Sequence, residues 1–123
     1  MTMKLLIVDD SELIRDALLL MLENIQGIES VQTAATLAQA LESVPSLLPT
    51  FVILDLHLPD GNATQIIPSI KRLAPGVQLA MLTNDASAFN RSKCMRAGAD
   101  WFFDKTFEFH NLRDLVRQHA ALH

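Results

Sequence analysis

The chain is poor in cysteine, in basic residues and in long apolar runs. Its one cysteine, Cys94, excludes an internal disulfide framework and any cysteine-rich zinc site. That usage suits a reducing cytosol. No apolar run approaches the roughly 18 residues that span a bilayer, and the N-terminus lacks the charged-then-apolar layout of a signal peptide. The expectation is a cytoplasmic protein with no membrane partner. Lys plus Arg total 10 against 14 for Asp plus Glu, a net charge of −4. A duplex-binding surface shows the opposite balance, so direct contact with nucleic acid is not expected. With 4 Gly and 5 Pro the chain is neither fibrous nor low-complexity. What remains is 123 residues, 50% hydrophobic, the size and content of one domain with a real core.

Short apolar runs alternate with longer segments of helical periodicity. Leu5 to Val8 is a run of strand length that stops at Asp9-Asp10. Leu13, Ile14, Ala17, Leu18, Met21, Leu22 and Ile25 then recur at spacings of three and four, one broad helix face ending at Gly27. Ser30 to Ala34 is a weaker strand, and Thr36 caps a second helix with a stripe at Leu37, Ala40, Leu41 and Val44. Pro45 and Pro49 bound a predicted loop. Phe51 to Leu54 is a third strand ending at Asp55, and the run to Asn62 reads as loop. Ile66, Ile67, Ile70 and Leu73 mark a third helix with a late start or kink at Pro68. Val77 to Leu82 is a fourth strand ending at Thr83. Ser87 caps a fourth helix, with Phe89, Cys94 and Met95 expected inward and Gly98 as its stop. Trp101 to Phe103 form a fifth strand before Asp104-Lys105, and Leu112, Leu115, Val116, His119 and Ala120 suit a last helix.

Strands that read as continuous apolar runs are buried on both faces, as in a parallel sheet covered by helices on each side. Right-handed crossovers bring the C-terminal ends of such strands to one edge, where open α/β sheets bind ligands. The residues delivered there are Asp9 and Asp10, Asp55, Thr83 and Lys105. Crowded carboxylates repel unless a cation is present. Oxygen ligands suit Mg²⁺ or Mn²⁺ and disfavour zinc. A metal, a lysine and a hydroxyl together match the oxygens of a phosphoryl group, with a carboxylate as nucleophile. Taken singly, an aspartate at a strand end is ordinarily solvated or caps the next helix, as Asp10 or Ser11 can here. The coincidence at four strand ends is what carries the functional reading.

These residues resemble the response-regulator receiver domain of two-component signalling, in LLIVDDS at 5–11, VILDLHLPDG at 52–61, MLTN at 81–84 and AGADWFFDK at 97–105. The resemblance covers essentially the whole chain, from about Lys4 to Leu122. It implies a (βα)5 flavodoxin-like sandwich with a five-stranded parallel sheet in the order 2-1-3-4-5. Residues 1–123 would form one receiver domain with no output domain in this chain. The resemblance implies phosphoryl transfer from a histidine-kinase phosphohistidine to Asp55. Asp10 would ligate Mg²⁺ (Mn²⁺ is also compatible) directly, Asp9 mainly through water, and the His57 backbone carbonyl would add a ligand. Lys105 would pair with phosphoryl oxygens, Thr83 would bind one, and Phe102 stands at the aromatic switch position. The face of the fourth helix, fifth strand and fifth helix would change its partner binding. Implied partners are a sensor histidine kinase or phosphotransfer protein, a downstream protein or missing output domain, and a second copy in a phosphorylation-dependent homodimer.

Two departures from the family pattern stand out. Thr106 follows the lysine where proline is usual, so a trans bond is expected. Asn84 stands where a small residue is common. With Asp85 and His57 it flanks the crevice, and this trio is expected to tune phosphoryl lifetime. Elsewhere, bland readings prevail: His110, His119 and His123 as surface or amphipathic-face residues, Cys94 as a buried thiol, and Arg91, Lys93 and Arg96 as a solvated face. Phe107 and Phe109 either cover the lysine loop or form an exposed patch. Two other functions compete. A metal-dependent aspartyl phosphatase would place its nucleophile on the first strand, with a second acid two residues on, and needs a cap insertion. A flavodoxin-like cofactor binder needs a Gly-rich or Ser/Thr-rich loop after strand one. Neither that cap insertion nor that loop is in the sequence.

Overall fold

A computed structural model describes residues 3–122. The strands are β1 (Met3–Val8), β2 (Ile28–Ala34), β3 (Phe51–Leu54), β4 (His57–Leu58), β5 (Gly61–Asn62), β6 (Gln78–Thr83) and β7 (Trp101–Asp104). The helices are α1 (Glu12–Leu22), α2 (Leu37–Leu47), α3 (Ile67–Leu73), α4 (Ala88–Ala97) and α5 (Phe109–Leu122), with a 3₁₀ turn at Ala63–Gln65. Five strands form one parallel sheet in the order β2-β1-β3-β6-β7, while β4 and β5 pair as a separate antiparallel hairpin. Counting only the sheet strands, this is the expected 2-1-3-4-5 order.

The buried stretches of the central strands, residues 5–8, 51–54 and 79–82, are apolar because both of their faces are covered. Leu6, Val8, Val52, Leu54, Met81 and Phe102 pack with α2, α3 and Cys94 of α4. Leu5, Ile7, Phe51, Ile53 and Leu82 pack with α1 and α5 on the other side. Period-two alternation therefore splits the aromatic strand: Phe102 faces one layer, while Trp101 and Phe103 face the other. Trp101 stacks on Phe51 at 6.0 Å and meets His119 edge-on at 5.1 Å, so His119 is a packing residue of the inner α5 face. β2, at the sheet edge, is half exposed, which is why its signal in the sequence is weak. No described helix is long and apolar enough to cross a membrane.

Several local expectations are corrected. α2 runs through Pro45 to Leu47 and ends on Leu48 in the left-handed region. Pro45 is exposed in the last turn, where its missing N–H frees only one carbonyl, which water can satisfy. α1 stops at Leu22, so Gly27, with φ 96°, serves the turn into β2 and is not a helix cap. Pro68 sits in the first turn of α3, the late start foreseen, with the 3₁₀ turn ahead of it. Phe89 and Met95 do not point inward. Cys94 is the fully buried residue of α4, with Ala97 packing beside it, and Phe89, five residues before Cys94, falls about 140° around the helix from it. It is 69% exposed. The Lys105–Thr106 bond is trans, as expected. His123 lies outside the described residues.

Candidate phosphoryl-acceptor site

Among the described residues, three polar residues are buried as a whole, Asp9, Asp55 and Thr83, and the Lys105 side chain is buried with them. All three stand at the C-terminal edge of the sheet. The ladder continues just past the strands, with the Asp9 N–H donating to Ala34 O and the Asp55 N–H to Val8 O. That continuation holds both aspartates side by side at the ends of β1 and β3. Thr83 is the last residue of β6, and Lys105 follows β7, its N–H donating to Thr83 O. Burying polar groups without partners is costly, so a concentration of them at one edge marks a site with a purpose beyond folding.

Lys105 resolves most of the charge problem. Its Nζ lies 2.8 Å from Asp55 Oδ2 and 2.7 Å from Asp9 Oδ2, and all three side chains are under a tenth exposed. Burial pushes the lysine's pKa down, but the hydrogen bonds and charges of Asp55 and Asp9 outweigh it, and the net shift is upward. Asp55 is also shifted up, chiefly by burial with the Asp9 charge adding to it, against the opposing pull of Lys105 and of the Leu56 N–H, which donates to Oδ1 at 2.7 Å. Asp10 is exposed at the rim. One carboxylate oxygen from each of Asp9, Asp10 and Asp55 falls within 4.8 Å of the others. Three hard anionic donors against one ammonium leave an excess of negative charge, and that set fits a hard divalent cation.

Further residues frame the crevice. Thr83 Oγ1 accepts the Asp85 N–H at 3.2 Å, which leaves its own hydrogen to donate. His57 Nε2 and Asp85 Oδ2 meet at 2.7 Å, both about half exposed, so two of the three expected tuning residues form one clasp; Asn84 is exposed beside them. Phe102 is 5% exposed, its ring turned in, with the Arg91 guanidinium 5.9 Å from its centroid and Arg91 Nη1 3.4 Å from its carbonyl. Arg91 is thus not merely a solvated charge. Phe107 is 82% exposed, while Phe109 packs toward the α5 layer.

Other supporting residues went unforeseen. Asp9 Oδ1 accepts the Ser11 N–H at 2.9 Å, and Arg15 Nη1 donates to the Asp9 carbonyl at 2.7 Å. The first is a turn an Asp-x-Ser spacing foreshadows; the second has no local signal. The lysine loop is braced by Asp104 and Glu108, whose side chain and backbone exchange bonds: the Asp104 N–H donates to Glu108 Oε1, and the Glu108 N–H to Asp104 O.

A doubly wound parallel sheet with clustered carboxylates, a lysine and a threonine at its switch-point edge defines a class of ligand-binding α/β domains. Comparison with known proteins is more specific. Residues 5–117 match the response regulator receiver domain, and the chain belongs to that family, whose members are signalling switches and not classical enzymes. Response regulator protein VraR of Staphylococcus aureus is 29% identical over 118 residues, covering 96% of this chain and 56% of VraR. The chain thus spans about half the length of the curated relatives it matches. A CheY-like receiver domain protein from Methanospirillum hungatei JF-1 superposes with TM-score 0.86 at 28% identity, over 98% of this chain and 95% of that one. The beryllofluoride-activated NtrC4 receiver domain dimer gives 0.82 at 31% identity, over 95% and 94%.

Proposed function

We propose that this chain is the phospho-accepting switch of a two-component pathway in the cytoplasm. Asp55 takes a phosphoryl group from the phosphohistidine of a sensor kinase or phosphotransfer protein. The observation that carries this reading is the buried Asp9–Lys105–Asp55 bridge beside Thr83. In the transfer, a carboxylate oxygen of Asp55 bonds to phosphorus as the phosphorus–imidazole nitrogen bond breaks, and the imidazole regains a proton from solvent. Lys105 then exchanges a carboxylate contact for a phosphoryl oxygen, and the Thr83 hydroxyl donates to another. Asp9, Asp10, Asp55 and the His57 carbonyl would hold Mg²⁺ or Mn²⁺, which when bound neutralises charge on the transferring oxygens. The His57–Asp85 clasp flanks the crevice and sets the lifetime of the acyl phosphate.

Movement of Thr83 toward the phosphoryl group alters the seat of Phe102 and shifts the face of α4, β7 and α5 between two partner-binding states. The activated dimer of the NtrC4 receiver supports a second copy as one such partner. VraR's greater length supports an output carried by a further domain outside residues 1–123. The test is incubation with acetyl phosphate and Mg²⁺, followed by intact-mass measurement. One phosphoryl group should be gained, and none with EDTA or in Asp55→Ala. Absence of any adduct in the wild type would leave a docking module without the switch.

A further inference from the structure

We infer that Asp60 is a positioning residue for the phospho-acceptor loop, tying the β4–β5 hairpin that follows Asp55 to the first turn of α2. The inference rests on the reading of Asp55 above. Asp60 occupies the turn of the hairpin, and its carboxylate reaches another element: Oδ1 accepts the Leu37 N–H at 2.8 Å and Oδ2 the Ala38 N–H at 3.1 Å. These are the first two free amides of α2, at the positive end of its dipole. The bonds hold the Asp60 carboxyl below the usual carboxylate range.

α2 also has a local cap of its own. Thr36 Oγ1 accepts the Gln39 N–H at 3.1 Å, and Gln39 Oε1 accepts the Ala35 N–H at 2.8 Å, an arrangement close to a capping box. The hairpin has less of its own to hold it. Its strands are two residues each, with only His57 opposite Asn62 and Leu58 opposite Gly61, too short to hold a register alone. Gly61, with φ 145°, lies so close to α2 that a Cβ there would meet Leu37 Cδ1 at 3.1 Å. Asp60 and Gly61 thus seat the hairpin on Leu37 and Ala38 of α2.

That seat matters to the site because nothing flexible separates the hairpin from Asp55. The Leu56 N–H donates to Asp55 Oδ1, and Leu56 O accepts the Ala63 N–H at 2.8 Å, closing the loop beneath the hairpin. His57, the first hairpin residue, brings its side chain to Asp85 and, on the proposed reading, its carbonyl to the cation. Misplacing the turn by loss of Asp60 therefore shifts a ligand carbonyl without touching any carboxylate of the cluster.

The experiment compares Asp60→Ala, Asp60→Asn and Thr36→Ala with the wild type. Titration calorimetry with Mg²⁺ alone and amide hydrogen exchange are the two readouts. Both caps serve α2, but only Asp60 holds the hairpin. Asp60→Ala should bind Mg²⁺ about tenfold more weakly, Asp60→Asn should be intermediate, and Thr36→Ala should be unchanged despite a lowered Tm. The Leu56 and Ala63 amides should lose exchange protection in Asp60→Ala only. Unchanged Mg²⁺ affinity in Asp60→Ala, or equal weakening in Thr36→Ala, would overturn the inference. A wild type that binds no Mg²⁺ counts against the functional reading instead. The exchange data then decide Asp60 separately, retained protection in Asp60→Ala refuting its role.

Discussion

Replacing Lys105 by methionine keeps the length and apolar stem of the side chain and removes its charge. Asp9 and Asp55 then face each other, both buried, with no counter-charge at 2.7 and 2.8 Å. At an effective dielectric near 20, each lost ion pair is about 4 kcal/mol of attraction at about 4 Å, offset by several kcal/mol from no longer burying an ammonium. Breaking such a buried arrangement from one side costs about 3–5 kcal/mol. A ceiling follows from protonation. The variant can always fold with Asp55 neutral, and its pKa already lies above the ordinary value. Adding that proton costs 1.36 kcal/mol for each pH unit above about 3.9, so roughly 5 kcal/mol at pH 7.5 and about 1.5 kcal/mol at pH 5. Lys105→Met should therefore lose about 3–5 kcal/mol in EDTA at pH 7.5 and under about 2 kcal/mol at pH 5. Thermal unfolding should show a Tm lower by roughly 12–20 °C at the higher pH. Urea unfolding at both pH values gives the free energies directly. Asp55→Asn, which leaves the Asp9–Lys105 pair intact, should cost far less. An equal loss at both pH values would mean that Lys105 matters through packing, and the electrostatic reasoning would be refuted.

Other outcomes follow from the same geometry. Lys105 titrates above its ordinary value in the fold, so its contribution is full below about pH 10.4 and fades as pH rises through the raised value. Alkaline unfolding of metal-free wild type should show that decline, and Lys105→Met should lack it. Gly98→Ala should destabilise by about 1–2 kcal/mol in urea unfolding, because φ there is 122° and the added Cβ would sit 3.3 Å from Ile67 Cγ2. Opening the His57–Asp85 clasp by alanine at both positions should shorten the acyl-phosphate half-life, measured by loss of the phosphorylated mass; an unchanged half-life removes the clasp from any tuning role.

The sheet was legible because the buried stretches of β1, β3 and β6, residues 5–8, 51–54 and 79–82, are covered on both faces and so form continuous apolar runs. Once their parallel order is inferred, the residues that follow them must converge, which is why Asp9, Asp55, Thr83 and Lys105 were found together. What sequence patterning missed is long-range or too short to be periodic. The two-residue strands around Asp60 carry no period at all, and its bond to Leu37 crosses 23 positions. The bridging of Asp9 by Lys105 depends on how far a side chain reaches across β3 and β6, which no local pattern encodes. α4 misled because its one fully buried residue, Cys94, leaves no stripe to read, so Phe89 looked like core by hydrophobicity alone.

The central claim is that Asp55 carries the phosphoryl group. The direct measurement is borohydride reduction of protein treated with acetyl phosphate and Mg²⁺, which converts an aspartyl phosphate to homoserine, followed by peptide mapping. Homoserine should appear at position 55 and at no other aspartate. Conversion at Asp9 or Asp10 with Asp55 intact would contradict it.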